Sequence, residues 1–148
     1  MLKSIVLLYN DRDRPIVLSI KQLLTQQLKD DDIVFWMASE NLTAFGDIFE
    51  QIEDAISTAA GTVVFLGQSG LGRFQRNIEL GAVNTEIWQQ GAAYGRLLVH
   101  LAPGIEVPRP LLRWPTVNHD GALQGADALS EGIAERFGFS LEARRTSP

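Results

Sequence analysis

The chain has 148 residues and a formal net charge of −5, with 45% hydrophobic and 21% charged residues. Such values are typical of one soluble globular domain. The lack of cysteine excludes a disulfide framework, a thiolate nucleophile and thiolate metal sites, and it fits a cytoplasmic location. Because the chain is acidic and has neither a basic stripe nor a long apolar run, we expect no direct binding to nucleic acid or to a membrane.

Short apolar runs alternate with helical patterns along the chain. The runs predict strands at Ser4–Tyr9, Ile33–Met37, Thr62–Leu66, Leu97–Leu101 and Thr116–Asn118. Apolar residues at helical spacing predict helices over 17–28, 48–59, 75–90 and 122–137, with loops over 38–46 and 103–115. This alternation predicts an α/β fold, a flavodoxin-like open parallel sheet of about five strands in the order 2-1-3-4-5 with helices on both faces. We expect one domain over 1–140 and a tail or the start of a linker over 141–148.

The predicted ligand crevice lies at the switch point of this sheet, between strands one and three. The loops beside it are 9–12 and 67–72, and Glu79 follows the second loop on a helix. Glu79 lies at the flank of the predicted buried stripe of that helix, so its carboxyl can face the crevice. Arg76 comes one turn earlier and would favour the ionised form of Glu79. From the spacing alone, a surface ion pair between these two side chains remains the alternative.

Four blocks, in this order and spacing, resemble the Toll/interleukin receptor (TIR) domain in its bacterial form, over about Ser4 to Phe137. The blocks are Leu7-Leu-Tyr-Asn-Asp-Arg-Asp13, then Ile33-Val-Phe-Trp36 with a BB-like loop ending Phe45-Gly46-Asp47, then 52–67, and finally Ser69-Gly-Leu-Gly-Arg-Phe-Gln-Arg-Asn-Ile-Glu-Leu80. The fourth block departs from the family pattern. Phe74 stands in place of the usual Trp, Arg73 in place of Pro, and Glu79 follows the aromatic by five positions instead of four. Met37 and Ala38 stand where many members carry an acid.

The resemblance implies an NAD+ glycohydrolase or cyclase that cleaves the bond between nicotinamide and ribose. Glu79 is then the catalytic carboxylate, NAD+ is the substrate, and no further cofactor is required. The resemblance also implies activation by assembly with other TIR copies, a fused C-terminal sensing domain and a role as effector in bacterial antiphage immunity. The chemistry suits one acid, because the leaving group is already a cationic pyridinium and the transition state has oxocarbenium character.

Seven further residues are candidates for NAD+ binding. Tyr9 and Asn10 would contact ribose or phosphates, and the loop around Ser69 would present backbone N–H groups to phosphate. The aromatic or loop candidates are Trp36, Phe45, Gly46 and Phe74. The alternatives are that Tyr9 packs with its hydroxyl at the rim, that Trp36 belongs to the core, and that the glycines only form a turn.

The remaining candidate side chains point to no metal site and to ordinary packing. His100 and His119 are isolated, and the chain has no cysteine, so we expect no metal site. Trp88 and Trp114 are predicted to have packing roles.

Two other functions stay open from the sequence. One is a non-catalytic TIR adaptor that binds other TIR domains, and the other is a nucleoside enzyme of similar topology, such as a deoxyribosyltransferase. A receiver domain would need a phosphorylatable Asp after strand three, where Gly67 and Gln68 stand.

Overall fold

The structure is a computed structural model, and it describes residues 3–28, 33–43, 46–73 and 75–118 together with 132, 133 and 137. The strands are β1 (Lys3–Leu8), β2 (Ile33–Trp36), β3 (Gly61–Leu66), β4 (Gly95–His100) and β5 (Thr116–Asn118). The helices are α1 (Arg14–Gln27), α2 (Ala38–Asn41), α3 (Ile48–Thr58) and α4 (Leu80–Gln90). A π-helical segment (Gln75–Glu79), called the π-turn below, leads directly into α4. Single 3₁₀ turns occur at Asp11–Asp13, Gly91–Ala93 and Arg109–Leu111.

The five strands form one parallel sheet in the order β2-β1-β3-β4-β5, which confirms the predicted fold class and strand order. All six residues of β3 are buried, as expected for a central strand of a sheet covered on both faces. The order reverses between β1 and β3, so the loops after these strands border the crevice that open α/β sheets use for ligands.

Successive side chains of the strands point to opposite faces of the sheet and contribute to two separate hydrophobic cores, one on each face. Ile5, Leu7 and Phe65 pack against α1, in a cluster that also includes the buried Ile133 and Phe137. The opposite face packs against α3 and α4. The period of two along buried strands and of 3.6 along the helices therefore accounts for the layered architecture.

Several local predictions need correction. The stretch 38–46, predicted as a loop, begins with the short helix α2, in which Asn41 Oδ1 reaches back to accept a hydrogen bond from the Met37 N–H at 2.8 Å. Trp88, predicted to pack, is 90% exposed, whereas Trp114 is buried as expected. Most of the helix predicted over 122–137, the end of the predicted domain at 140 and the tail over 141–148 lie outside the described residues.

Asp47 confirms the predicted start of α3, since its carboxylate accepts hydrogen bonds from the N–H groups of Phe49 and Glu50. Within the part of the chain that the structure describes, no helix combines the length and the apolar character needed to cross a bilayer.

Candidate active-site cleft

A small cleft of about 280 Å³, the acidic cleft, lies at the carboxyl edge of the sheet. Three chain segments meet there: the residues that follow β1, the short helix α2 that follows β2, and the π-turn that follows β3. Its lining residues are Tyr9, Asp11, Ala38, Ser39, Leu42, Gln75 and Glu79. Two of them are acids and none is basic, so the lining favours a cationic ligand over an anionic one.

Asn10 fixes the segment that follows β1. Its side-chain oxygen accepts from the Arg12 N–H at 3.0 Å, and its Nδ2 donates to the Gly70 carbonyl at 3.1 Å. The first bond starts the 3₁₀ turn that carries Asp11. The second ties this turn to the loop after β3. Asn10 therefore positions its neighbours and does not itself line the acidic cleft.

The other wall of the cleft is held by a pair of hydroxyl groups. Tyr9 is buried, and its hydroxyl lies 2.5 Å from the Ser39 Oγ. Sequence reasoning left two roles for Tyr9, ligand contact or packing with the hydroxyl at the rim. In the structure its side chain belongs to the core beneath α1 and also lines the cleft.

The π-turn determines where Glu79 lies. A π-turn contains more residues per turn than an α-helix, and such segments are frequent at functional sites. Glu79 is the last residue of the turn and is only 3% exposed, while it still lines the acidic cleft. Its carboxyl is thus largely withdrawn from water, yet it borders a space that a ligand can enter.

This burial raises the pKa of Glu79 from 4.5 to about 7. Desolvation is the largest cause, and the neighbouring Asp11 carboxylate adds to it by like-charge repulsion. A hydrogen bond with the Gln75 side chain acts in the opposite direction. Near neutral pH, the Glu79 carboxyl is therefore protonated in some molecules and ionised in others. Such a perturbed pKa is typical of catalytic groups in active sites.

The predicted partnership of Glu79 with Arg76 is wrong. Glu79 is buried and its pKa is raised, so neither the predicted stabilisation of the ionised form by Arg76 nor the alternative surface pair describes it. The exposed Arg76 instead lines a second groove of about 590 Å³, between the loop after β3 and the segment after β4. Residues three apart meet on an α-helix, but the π-turn changes the angular offset between them.

This second groove, called the Arg76 groove below, is lined by Gly67, Gln68, Ser69, Gly70, Leu71, Arg76, Pro103, Gly104, Ile105, Glu106 and Pro108. Asp13 does not line the groove, but its carboxylate accepts a hydrogen bond from the N–H of Gly67, which does. A Cβ at position 67 would come within 2.4 Å of the Asp13 Oδ1. Burial raises the pKa of Asp13, and the bond from Gly67 partly offsets this effect.

The other predicted binding residues are spread over several places. Ser69 lies in the Arg76 groove, and Trp36 is half-buried against the core beneath α3 and α4. Gly46 is exposed, with a φ of 102° that favours glycine, immediately before the cap of α3. Phe45 and Phe74 lie outside the described residues.

Sequence reasoning named three polar lining residues of the acidic cleft in no role: Ser39, Gln75 and Asp11, the last of which lies in the loop 9–12 predicted to border the crevice. Asp11 had a signal, because it follows β1, which ends beside the switch point, whereas Ser39 follows the edge strand β2, which does not border that point. Gln75 precedes Glu79 by four positions, a spacing that brings side chains together on a helix. Among the described residues, no cluster of three or more His, Cys, Asp or Glu side chains could hold a metal ion.

Comparisons with known proteins bear on the fold alone. No protein-family model matches the sequence. A search of curated proteins also finds no match. Among solved structures, the chain is similar to the crystal structure of a flavodoxin-like domain from a Synechococcus species, with a TM-score of 0.57 and 13% identity over 90% of this chain and 96% of that one. At this identity the similarity establishes a flavodoxin-like α/β fold.

Proposed function

We propose that this chain is a TIR-type NAD+ glycohydrolase or cyclase that breaks the bond between nicotinamide and ribose. The proposal is carried by one observation: the buried residue Glu79, only 3% exposed, borders a cleft lined by a second acid and by no basic side chain. The four sequence blocks and the flavodoxin-like fold support it. Glu79, the acid that the sequence suggested as catalytic, lies at the carboxyl edge of the sheet, where open α/β folds bind their ligands.

The chemistry follows from the charge of the cleft. As the bond between C1′ and the pyridinium nitrogen breaks, its electron pair leaves with neutral nicotinamide, and positive charge develops on the ribose. The ionised Glu79 stabilises this charge, and its shielding from water strengthens the interaction. Water, or another nucleophile of the same substrate, then bonds to C1′ and loses a proton. Hydrolysis gives ADP-ribose, and the internal route gives a cyclic isomer.

Nicotinamide release from NAD+ by concentrated protein tests this function. We expect Glu79→Gln to lower the rate by at least about 100-fold, because the amide has nearly the same shape and carries no charge. Glu50→Gln is the matched control, since Glu50 is exposed on α3 and lines no part of the acidic cleft. Equal turnover by wild type and Glu79→Gln would remove Glu79 from the mechanism.

The pH dependence gives a second readout of the same site. Only the ionised carboxylate stabilises the sugar cation, so the rate at low NAD+ should rise with pH and level off above the Glu79 pKa of about 7. A rate that is flat across this range would contradict an essential ionised Glu79.

A non-catalytic adaptor is the second candidate, and the outer surface of the helices favours it. A groove of about 560 Å³ between α3 and α4 includes Phe49 and Ile78 and has an acidic rim of Glu53, Asp54 and Glu86. Phe49 is 51% exposed. On a separate turn, Leu112 is 62% exposed and lies between Arg109 and Arg113 in order along the chain. The opposite charges of the two surfaces favour docking of a second copy of this chain, head to tail.

Sedimentation velocity at increasing protein concentration separates the two candidates. Self-association that is weakened by Leu112→Asp and by high salt, with no NAD+ consumed by the assembled form, supports the adaptor. Nicotinamide release that increases with assembly supports the enzyme. As an enzyme, the chain would be an effector of bacterial immunity acting in the cytoplasm.

A further inference from the structure

The two cavities on either side of the π-turn differ in charge: the acidic cleft is lined by two acids and no base, and the Arg76 groove by one arginine and one acid. Gln75 and Glu79 face the acidic cleft, whereas Arg76 lines the neighbouring groove. A pyrophosphate would be repelled from the cleft, where Asp11 and Glu79 supply only negative charge. A dinucleotide that places its cationic ring in the cleft must therefore hold its anionic part elsewhere.

We propose that the Arg76 groove is the subsite for the pyrophosphate of a dinucleotide whose cationic ring enters the acidic cleft. This inference rests on the proposed function and adds the recognition of the second half of the substrate. The guanidinium of Arg76 carries a permanent charge and a planar set of donors that match phosphate oxygens. The exposed position of Arg76 leaves this group accessible to a ligand.

The loop after β3, which lines the groove, is held by hydrogen bonds within the chain. The Gly67 N–H bonds to the carboxylate of Asp13, and the Gly70 N–H donates to the Gly67 carbonyl at 3.1 Å. Gly70 has a φ of 66°, which favours glycine and closes the turn. Because this loop is already ordered, less conformational entropy is lost when a ligand binds.

The hydrogen bond between Asn10 and Gly70 joins the two cavities. Tyr9 and Asp11, the neighbours of Asn10, line the acidic cleft, and Gly70 lines the Arg76 groove. Asn10, predicted as a binding residue, then acts as a positioning residue that fixes the spacing between the subsites.

Glu106 determines how the ligand lies within the groove. It lines the Arg76 groove as an exposed acid, so it repels phosphate and accepts hydrogen bonds from hydroxyl groups. We therefore place the pyrophosphate towards Arg76 and the hydroxyls of the second ribose towards Glu106. This arrangement fits ADP-ribose, which keeps the pyrophosphate and lacks the pyridinium.

Binding of ADP-ribose, followed by amide chemical shifts in NMR spectra, tests the subsite without requiring catalysis. We expect Arg76→Gln to weaken binding by about 10- to 100-fold, the effect of losing a hydrogen bond to a charged group. Arg73→Gln is the matched control, because Arg73 is an exposed arginine of the same segment that lines neither cavity. The affinity of wild type and of Arg73→Gln should be equal and should fall with added salt.

Kinetics with NAD+ and with nicotinamide riboside distinguish phosphate binding by Arg76 from a merely structural role of this residue. Arg76→Gln should raise KM for NAD+ with little change in kcat, and it should leave the cleavage of nicotinamide riboside, which has no phosphate, unchanged. Equal ADP-ribose affinity of wild type and Arg76→Gln would overturn the subsite even if NAD+ is cleaved. ADP-ribose binding through Arg76 by a protein that cleaves no NAD+ would instead overturn the proposed reaction and support the subsite.

Discussion

The acidic cleft and the Arg76 groove share one turn of helix and differ in almost every physical respect. The cleft is built from side chains of three segments and contains a carboxyl that is nearly inaccessible to water. The groove is larger and is formed chiefly by a glycine-containing loop and by exposed side chains. Burial makes the protonation of Glu79 sensitive to pH near neutrality, whereas exposure leaves Arg76 permanently charged. The type of each side chain thus sets the sign of the charge it presents, and its environment sets how that charge depends on pH.

The largest expected effect on stability comes from the acid in the cleft. The pKa of Glu79 is about 7 in the folded chain and near 4.5 when unfolded, so the folded state binds more protons between these values. The free energy of unfolding therefore falls as pH rises through this window. Glu79→Gln removes this dependence on pH. Between pH 4.5 and about pH 7, the free energy of unfolding of the variant should therefore rise relative to that of wild type by on the order of 3 kcal/mol. Urea unfolding at several pH values measures the difference.

Glu50→Gln serves as the control for that series and should follow the wild-type curve, because Glu50 is exposed. If the curves of wild type and Glu79→Gln ran parallel with pH, the carboxyl of Glu79 would have no raised pKa, and the contrast between the two cavities would be lost.

A smaller effect is expected on the groove side, at Gly67. A Cβ there would meet the Asp13 carboxylate at 2.4 Å, so Gly67→Ala must displace that carboxylate and weaken its bond to the Gly67 N–H. We expect a loss of about 1 to 2 kcal/mol in the free energy of unfolding. Thermal or urea denaturation measures it.

Two controls make the Gly67 result specific. Gly81→Ala, in α4 where a Cβ meets no atom within 4 Å, should stabilise the protein, by about 0.5 to 1 kcal/mol. Combining Gly67→Ala with Asp13→Ala should recover part of the loss, because the clashing group is then absent. Strict additivity of the two substitutions would show that the contact has no energetic weight.

The smallest expected loss of stability concerns the hydroxyl pair of the cleft. Tyr9→Phe removes the hydrogen bond to Ser39 and should cost about 1 kcal/mol of unfolding free energy. Ser39→Ala should cost a similar amount, and the double variant should cost less than the sum of the two, since both remove the same bond. A fully additive double variant would mean that the two hydroxyls do not interact.

Sequence reasoning reached the fold because the fold depends on patterns that are local in the chain. Apolar runs separated by helical spacing specify alternating strands and helices, and right-handed crossovers then limit the strand orders that can form. The N-cap at Asp47 could equally be predicted, because a carboxylate just before a helix is strongly favoured to accept hydrogen bonds from the first N–H groups of that helix. Trp88 shows the limit of such patterns, because its type suggests burial and its position on α4 leaves it exposed.

The sequence by itself determined the layered sheet, its order and the presence of an acid beside the switch point, because periodicity and motif spacing are properties of the chain alone. Only the tertiary structure decided which way the residues of that segment face. The π-turn moves Arg76 out of the predicted pair with Glu79. The meeting of three distant segments brings Asp11 and Ser39 to the same cleft and removes water from the acid. Desolvation arises from contacts between residues far apart in the chain, so no local pattern could have revealed it.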